Sequence, residues 1–278
     1  MKSVIKLTIH QIKILLSSQL QNKTIMAAFE SGNPTLSQKI FSRSITQDEA
    51  GTMTVRGTIN KFGFLLLMVI AGATYTWYLY YNNEQQTMMT FMWVGLIGGL
   101  ISVIAISVKP TLAPYLSPAY GILEGFALGA FSAILNDAFS KNYPGLVIQA
   151  VGLTFGVALA MFLLYNFRII KATQRFKSII FSATAGIAIF YLVTLVLGMF
   201  HVNVPFMYDS SALGIGLSIF VVAIAALNLI IDFDMIERGA DMGAPKFMEW
   251  YGAFGLLVTM VWLYVEILRL LSRFAGRK

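Results

Sequence analysis

Seven stretches of the chain stay apolar for about twenty residues at a time, separated by short polar runs. They cover residues 62–81, 88–108, 118–135, 145–167, 178–200, 211–231 and 250–271. A helix rising about 1.5 Å per residue needs about 20 apolar residues to cross about 30 Å of hydrocarbon, so each stretch can span a membrane. Barrel strands would instead alternate faces over about ten residues. The pattern predicts an all-α polytopic membrane protein: a polar N-terminal segment, residues 1–60, then a seven-transmembrane-helix bundle, residues 61–278. The connections are too short to hold a further domain.

Glycines recur inside the runs, and in lipid small residues let helix backbones approach closely. Gly125-Phe-Ala-Leu-Gly129 and Gly152-Leu-Thr-Phe-Gly156 each set two glycines on one helix face, which reads first as helix packing and second as a glycine-lined pathway. Tyr75, Trp77, Tyr78, Tyr80 and Tyr81 gather at a span end, as residues of an interfacial belt do. Residues 1–25 carry an apolar patch, Ile12-Lys-Ile-Leu-Leu16, interrupted by lysines and followed by no small-residue cleavage site. They do not read as a secretory signal peptide. The stretch reads equally as an upstream extension or as a surface-lying amphipathic helix.

Composition agrees with the pattern. Of 278 residues 57% are hydrophobic and 12% charged, against roughly 25% charged in a soluble domain, and this excludes a water-soluble globular fold. The net charge of +7 is a matter of topology rather than of nucleic acid. With the N-terminus in the cytoplasm, fifteen of the 20 Lys and Arg residues fall on the inner side, as cytoplasmic loops require. The absence of cysteine excludes disulfides, thiol nucleophiles, Cys-ligated zinc and iron–sulfur clusters. With His10 and His201 alone, no multi-histidine metal site is expected, and no H-E-x-x-H, P-loop or G-x-S-x-G occurs. The chain is expected not to be an enzyme and to need no cofactor.

The informative residues are the acids. An ionisable side chain in hydrocarbon is costly, so it faces the bundle interior and often marks a site. Glu124 and Glu266 lie well inside spans, and Asp232 and Asp234 sit at the end of the sixth. Glu124 is near mid-membrane. Glu266 has Arg269 three residues on, in reach along one helix face. Each acid also has a structural reading: a protonated carboxyl bonded to a neighbouring helix, an interfacial ion pair, or a solvated helix end. A carboxyl at this depth resists ionisation, and two brought together share a proton, so a pair can titrate near neutral pH. When ionised it attracts a hard, oxygen-preferring cation such as Ca²⁺, held transiently rather than in a fixed metal site. That couples pH to cation passage. Histidine does not supply the sensing, since His201 falls in an external loop and His10 in the leader.

Several of these residues form recognisable phrases. The last span, Leu263-Tyr-Val-Glu-Ile-Leu-Arg-Leu-Leu271, resembles the L-Y-x-D-I-x-N-L-F pattern that closes the Bax inhibitor-1 family, also called the transmembrane Bax inhibitor motif family. Ile231-Asp-Phe-Asp-Met-Ile-Glu237 resembles its F-D-x-x-x-I segment, and Glu124-Gly-Phe-Ala-Leu-Gly129 its E-G-x-x-L-G. With Gly51-Thr-Met-Thr-Val-Arg-Gly-Thr-Ile-Asn-Lys61 before the first span, the chain resembles a bacterial branch of the family over residues 26–278.

The resemblance implies a seven-helix fold with the last helix central, and a pH-sensitive calcium leak governed by aspartates on helices six and seven. Transferred residue by residue, Asp234 or Asp232 is the helix-six acid and Glu266, a glutamate where the family has aspartate, the helix-seven acid. If the chain turns near 239–245, Asp234 and Glu266 differ in distance from the turn by about 12 residues, roughly 18 Å. A direct pair then requires residues 246–255 to break or lie flat, which Gly252 and Gly255 permit; otherwise Glu266 faces Glu124 or Arg269.

The expected function is a pH-sensitive cation (calcium) leak channel, with membrane lipid and calcium ions as partners and no nucleic acid. The expected site is a bacterial inner (cell) membrane, or alternatively that of the endoplasmic reticulum. The alternative function is a non-transporting regulatory protein that binds and modulates a membrane protease or a stress or cell-death pathway through its polar tail, residues 29–60.

Overall fold

The computed structural model describes residues 51–141, 143–200, 202 and 211–276; most of the polar N-terminal segment with His10, the loop residue His201, and the tail residues Arg277 and Lys278 lie outside the described residues. Among the described residues the apolar runs form seven helices. They are α1 Val55–Tyr81, α2 Gln85–Val108, α3 Ala113–Ala138 (preceded by a 3-10 turn, Pro110–Leu112), α4 Leu146–Asn166, α5 Gln174–Met199, α6 Ala212–Asp241 and α7 Met248–Ala275. All seven are long and apolar enough to cross a membrane. Hydrocarbon offers no partner to a backbone amide, so a spanning segment must satisfy its own, and a helix does this at every residue. Polar side chains start several helices: Thr54, Thr173 and Ser211 accept from the N–H groups of Gly57, Phe176 and Gly214 at 3.0, 3.3 and 3.1 Å, which satisfies amides that have no intrahelical acceptor.

Several boundaries differ from those the apolar pattern predicts, the first helix beginning at Val55 rather than at residue 62, and two more change where particular residues lie. The third helix begins at Ala113 and carries Pro118 inside it, so Pro118 is not a start. The sixth runs past residue 231 to Asp241. Asp232 and Asp234 therefore belong to the body of a helix, 0% and 5% exposed, and are not solvated at its end. A polar run stays helical here because neighbouring helices supply its counter-charges.

The last helix is central. α7 packs against α6, α1, α4 and α3, and Tyr251, Phe254, Leu257, Leu263 and Leu268 on it are fully buried. On the other side α3 crosses α1 and α2 at backbone distance. A Cβ on Gly125 would meet the Val69 carbonyl, and one on Gly72 the Ile122 carbonyl. Glycine at these crossings lets the backbones touch, the contact that holds helices together where lipid is as apolar as leucine. The second glycine pair is different: around Gly152 and Gly156 a Cβ would meet nothing within 4 Å, so neither glycine packs a helix.

The phrase preceding the first span acquires a purpose in three dimensions. Residues 51–54 lie along the α6–α7 turn, with Met53 N–H bonded to Ala244 O at 2.6 Å and Lys246 N–H to Gly51 O at 3.1 Å. The fully buried Glu249 carboxylate, in the first turn of α7, receives the Thr54 N–H and hydroxyl, both at 2.9 Å, Lys246 Nζ at 2.8 Å, and Lys61 Nζ. Gly57 faces this carboxylate, and a Cβ there would overlap it. The start of α1 is thus clamped to the start of α7.

Gly125→Val is expected to lower stability by about 1–3 kcal/mol through overpacking, whereas Gly152→Val should change it by less than about 0.5 kcal/mol. Thermal unfolding of the purified proteins in one detergent measures both.

Candidate functional site

Lys177, Thr184 and Tyr191 are seven residues apart on α5, which at 3.6 residues per turn sets them on one face, about 10 Å apart. Each meets a polar group of the central pair. Lys177, 1% exposed, forms an ion pair with Asp234 of α6 at 2.7 Å, and Arg238 closes on the same carboxylate at 2.8 Å. One level deeper, Asn228 of α6 donates to the Thr184 hydroxyl at 2.9 Å. At the third level the Tyr191 hydroxyl donates to Glu266 of α7 at 3.0 Å, and Arg269 contacts both Glu266 oxygens at 3.0 and 3.2 Å. The Arg269 guanidinium also lies over the Tyr191 ring, 5.3 Å from its centroid. These contacts make a polar seam joining α5 to α6 and α7 at three depths. Apolar contact between α5 and the core comes mainly from Ile180 and Ile187 against Val221, Ile224 and Ile231.

The seam shows where the sequence-derived acids stand. α7 is one unbroken helix from Met248, and Gly252 is packed within it, where a Cβ would sit 3.3 Å from Ile236 and Thr58 side-chain atoms. The break that a direct Asp234–Glu266 pair requires does not form. Asp234 lies seven residues before the end of α6 and Glu266 eighteen after the start of α7, a difference in depth of about 17 Å. The two acids take separate basic partners, and Glu266 faces Arg269 rather than Glu124. Asp232, two residues from Asp234 and so on nearly the opposite face of α6, is turned into the bundle one helical turn beyond Asn228. The Asn228 Oδ1 atom is buried with no hydrogen-bond partner. Glu124 stands apart from the seam, half-buried on α3 against Gly99 of α2 and beside the Tyr120 hydroxyl.

Sequence reasoning missed Lys177, Arg238, Thr184, Asn228 and Tyr191. Lys177 reads as a loop charge because the apolar run begins one residue later; the seven-residue spacing was the available signal. A further pair closes the same end of the bundle, where Arg168 meets Glu237 at 2.6 Å and the Tyr165 hydroxyl donates to the same carboxylate. Among the described residues, no three His, Asp or Glu side chains gather in a way that could hold a metal ion.

The seam can act as a set of ties that depend on charge. In a low-dielectric setting a carboxylate and its cation hold two helices together only while both are ionised, and removing either strands the other. Lys177→Met is expected to lower stability by about 2 kcal/mol, less than the 3–5 kcal/mol typical of a broken buried pair because Arg238 remains. Combining it with Asp234→Leu should restore most of the loss, since an apolar pair needs no counter-charge. Thermal unfolding of the two single variants and the double variant measures the coupling.

The sequence profile of the Bax inhibitor 1 like family matches residues 33–276. Comparison with curated proteins and with solved structures gave no match. The matched residues include all seven helices and every member of the seam. With seven apolar helices among the described residues, the last of them central, the chain is an integral membrane protein and belongs to the Bax inhibitor 1 like family.

Proposed function

We propose that the protein is a pH-sensitive cation leak, with calcium as the permeant ion, and that the seam between α5 and the α6–α7 pair is its gate and path. The observation that supports this is the seam itself. Oxygen donors stand at three depths in an apolar bundle, and the acids at the two outer levels are tied to basic side chains. Asp234, the orphan Asn228 Oδ1 and the Glu266–Tyr191 pair offer the oxygen ligands that calcium prefers, spaced so that an ion can be passed from one to the next. No level offers enough ligands to trap it.

Two effects of pH oppose one another. Ionised carboxylates attract a cation, yet Asp234 also holds Lys177 and Glu266 holds the Tyr191 hydroxyl, and these two contacts keep α5 against the core. The second effect sets the sign, because a closed seam admits no ion however attractive its lining. Protonation of Asp234 releases Lys177 and protonation of Glu266 weakens its bond to Tyr191, so α5 loosens and the leak opens. Flux therefore rises as pH falls.

The reading places the protein in a bacterial inner membrane with the segment before α1 in the cytoplasm. Arg56, Lys61, Lys109, Arg168, Lys171, Arg175, Lys177, Arg238 and Lys246 share the end of the bundle marked by the α6–α7 turn, and Lys141, Arg269 and Arg273 lie toward the other. That asymmetry is what the inner side of a membrane selects.

Liposomes containing the protein and a calcium reporter, followed over a pH series from neutral to acid, test the proposal. The expected result is flux that grows with acidity. Glu266→Gln, which removes one tie, should raise flux at neutral pH and flatten the pH response. Absence of flux at every pH, or an unchanged pH response in both Glu266→Gln and Asp234→Asn, refutes it.

A further inference from the structure

α1 and α4 stand apart on the surface of α7, and the space between them is a groove in two sections that share Phe155 and Met260. The section toward the α6–α7 turn has a volume of about 510 Å³, the other about 240 Å³. The walls of the larger one are apolar, with Ile59 and Phe62 from α1, Ala158 and Phe162 from α4, and Phe233 and Leu256 beneath. Only its mouth is polar, where Tyr165, Asn166, Arg168 and Glu237 meet.

We propose that this section binds one glycerophospholipid with an anionic headgroup, taken from the leaflet at the α6–α7 turn, its phosphate on Arg168 and one acyl chain along the groove. Length supports the assignment. Eleven residues separate Phe155 from Asn166 at the end of α4, about 17 Å of rise, which carries the groove through one leaflet's share of about 30 Å of hydrocarbon to the headgroup level. The chemistry also runs in the right order, apolar at depth and polar at the interface.

Charge selects the headgroup. Residues 167–173 and the first turn of α5 bring Arg168, Lys171 and Arg175 with no acid among them, and basic groups at that level attract anionic lipid. Arg168 is 57% exposed at its side chain despite its bond to Glu237. Its second terminal nitrogen makes only a 3.5 Å contact with the Tyr165 hydroxyl, so it keeps donors for a phosphate. The residue is held in a left-handed backbone conformation, φ 57°, where an L side chain is strained. That strain, which glycine or asparagine would largely avoid, sets the guanidinium over the Tyr165 ring at 5.2 Å and at the mouth of the groove.

Native mass spectrometry of the full-length protein, after exposure to vesicles of equal parts phosphatidylglycerol and phosphatidylcholine, tests the site. One retained phosphatidylglycerol per chain is expected, with a preference over phosphatidylcholine of roughly fivefold, the factor one basic side chain contributes near an anionic surface. Ala158→Trp, which fills the groove, should abolish the adduct. Leu153→Trp, placed on the exposed face of α4, should keep it. Arg168→Gln should keep an adduct but lose the preference, and free glycerol phosphate should displace nothing. The proposal is overturned if Ala158→Trp, eluting as a monodisperse species with parental helicity, retains the lipid. It is overturned equally if the parent shows no preference, if Arg168→Gln leaves the preference unchanged, if free glycerol phosphate competes, or if a second copy of the chain occupies the groove in place of lipid.

Discussion

A charge in hydrocarbon is tolerable only beside its opposite, and the half of the bundle built on α5, α6 and α7 is arranged by that rule. Apolar faces alone could not arrange it, because lipid competes for them on equal terms. The charged groups are selective where the apolar ones are not. Asp234 accepts Lys177, Glu266 accepts Arg269 and Tyr191, and Glu249 accepts Lys61 and Lys246. Most of these contacts join different helices, so together they specify which helices become neighbours and at what height.

The other half solves the same problem by touch rather than by charge. α1, α2 and α3 meet through glycine, backbone against carbonyl, at contacts such as Gly72–Ile122 and Gly95–Leu123. Such contacts are short, continuous and indifferent to protonation. The polar seam is discontinuous, made of separate contacts at three depths. One half of the bundle is fastened by close packing and the other by ion pairs, and the division between them runs along α7.

Much of this is legible in the amino-acid order, for a physical reason. Length and apolarity define spans because the bilayer sets both, and the seven runs become seven helices. The pairing of Glu266 with Arg269 is legible because it depends only on positions three apart on one helix. Partners from distant helices leave no such local mark. Lys177 sits at the edge of an apolar run and resembles any interfacial lysine until Asp234, 57 residues on, is placed beside it. Glu249 looks like an ordinary first-turn acid, although Thr54, Gly57 and Lys61 are all shaped around it. Spacing also misleads in the opposite sense: Gly152 and Gly156 match the packing pattern of Gly125 and Gly129, yet only the latter pair meets another helix.

The clamp between the start of α1 and the start of α7 has a bearing on how the molecule is made. Lys61 and Thr54 emerge from the ribosome among the first residues of the bundle, and the carboxylate they bind arrives 188 and 195 residues later. Until then the lysine stands at the membrane surface without its acid, and the central position that α7 will fill is vacant. The bundle therefore cannot close in the order in which it is synthesised. Its first helix has to wait for its last, and a chain that stops short of α7 lacks both the core and the counter-charge that pins its own beginning.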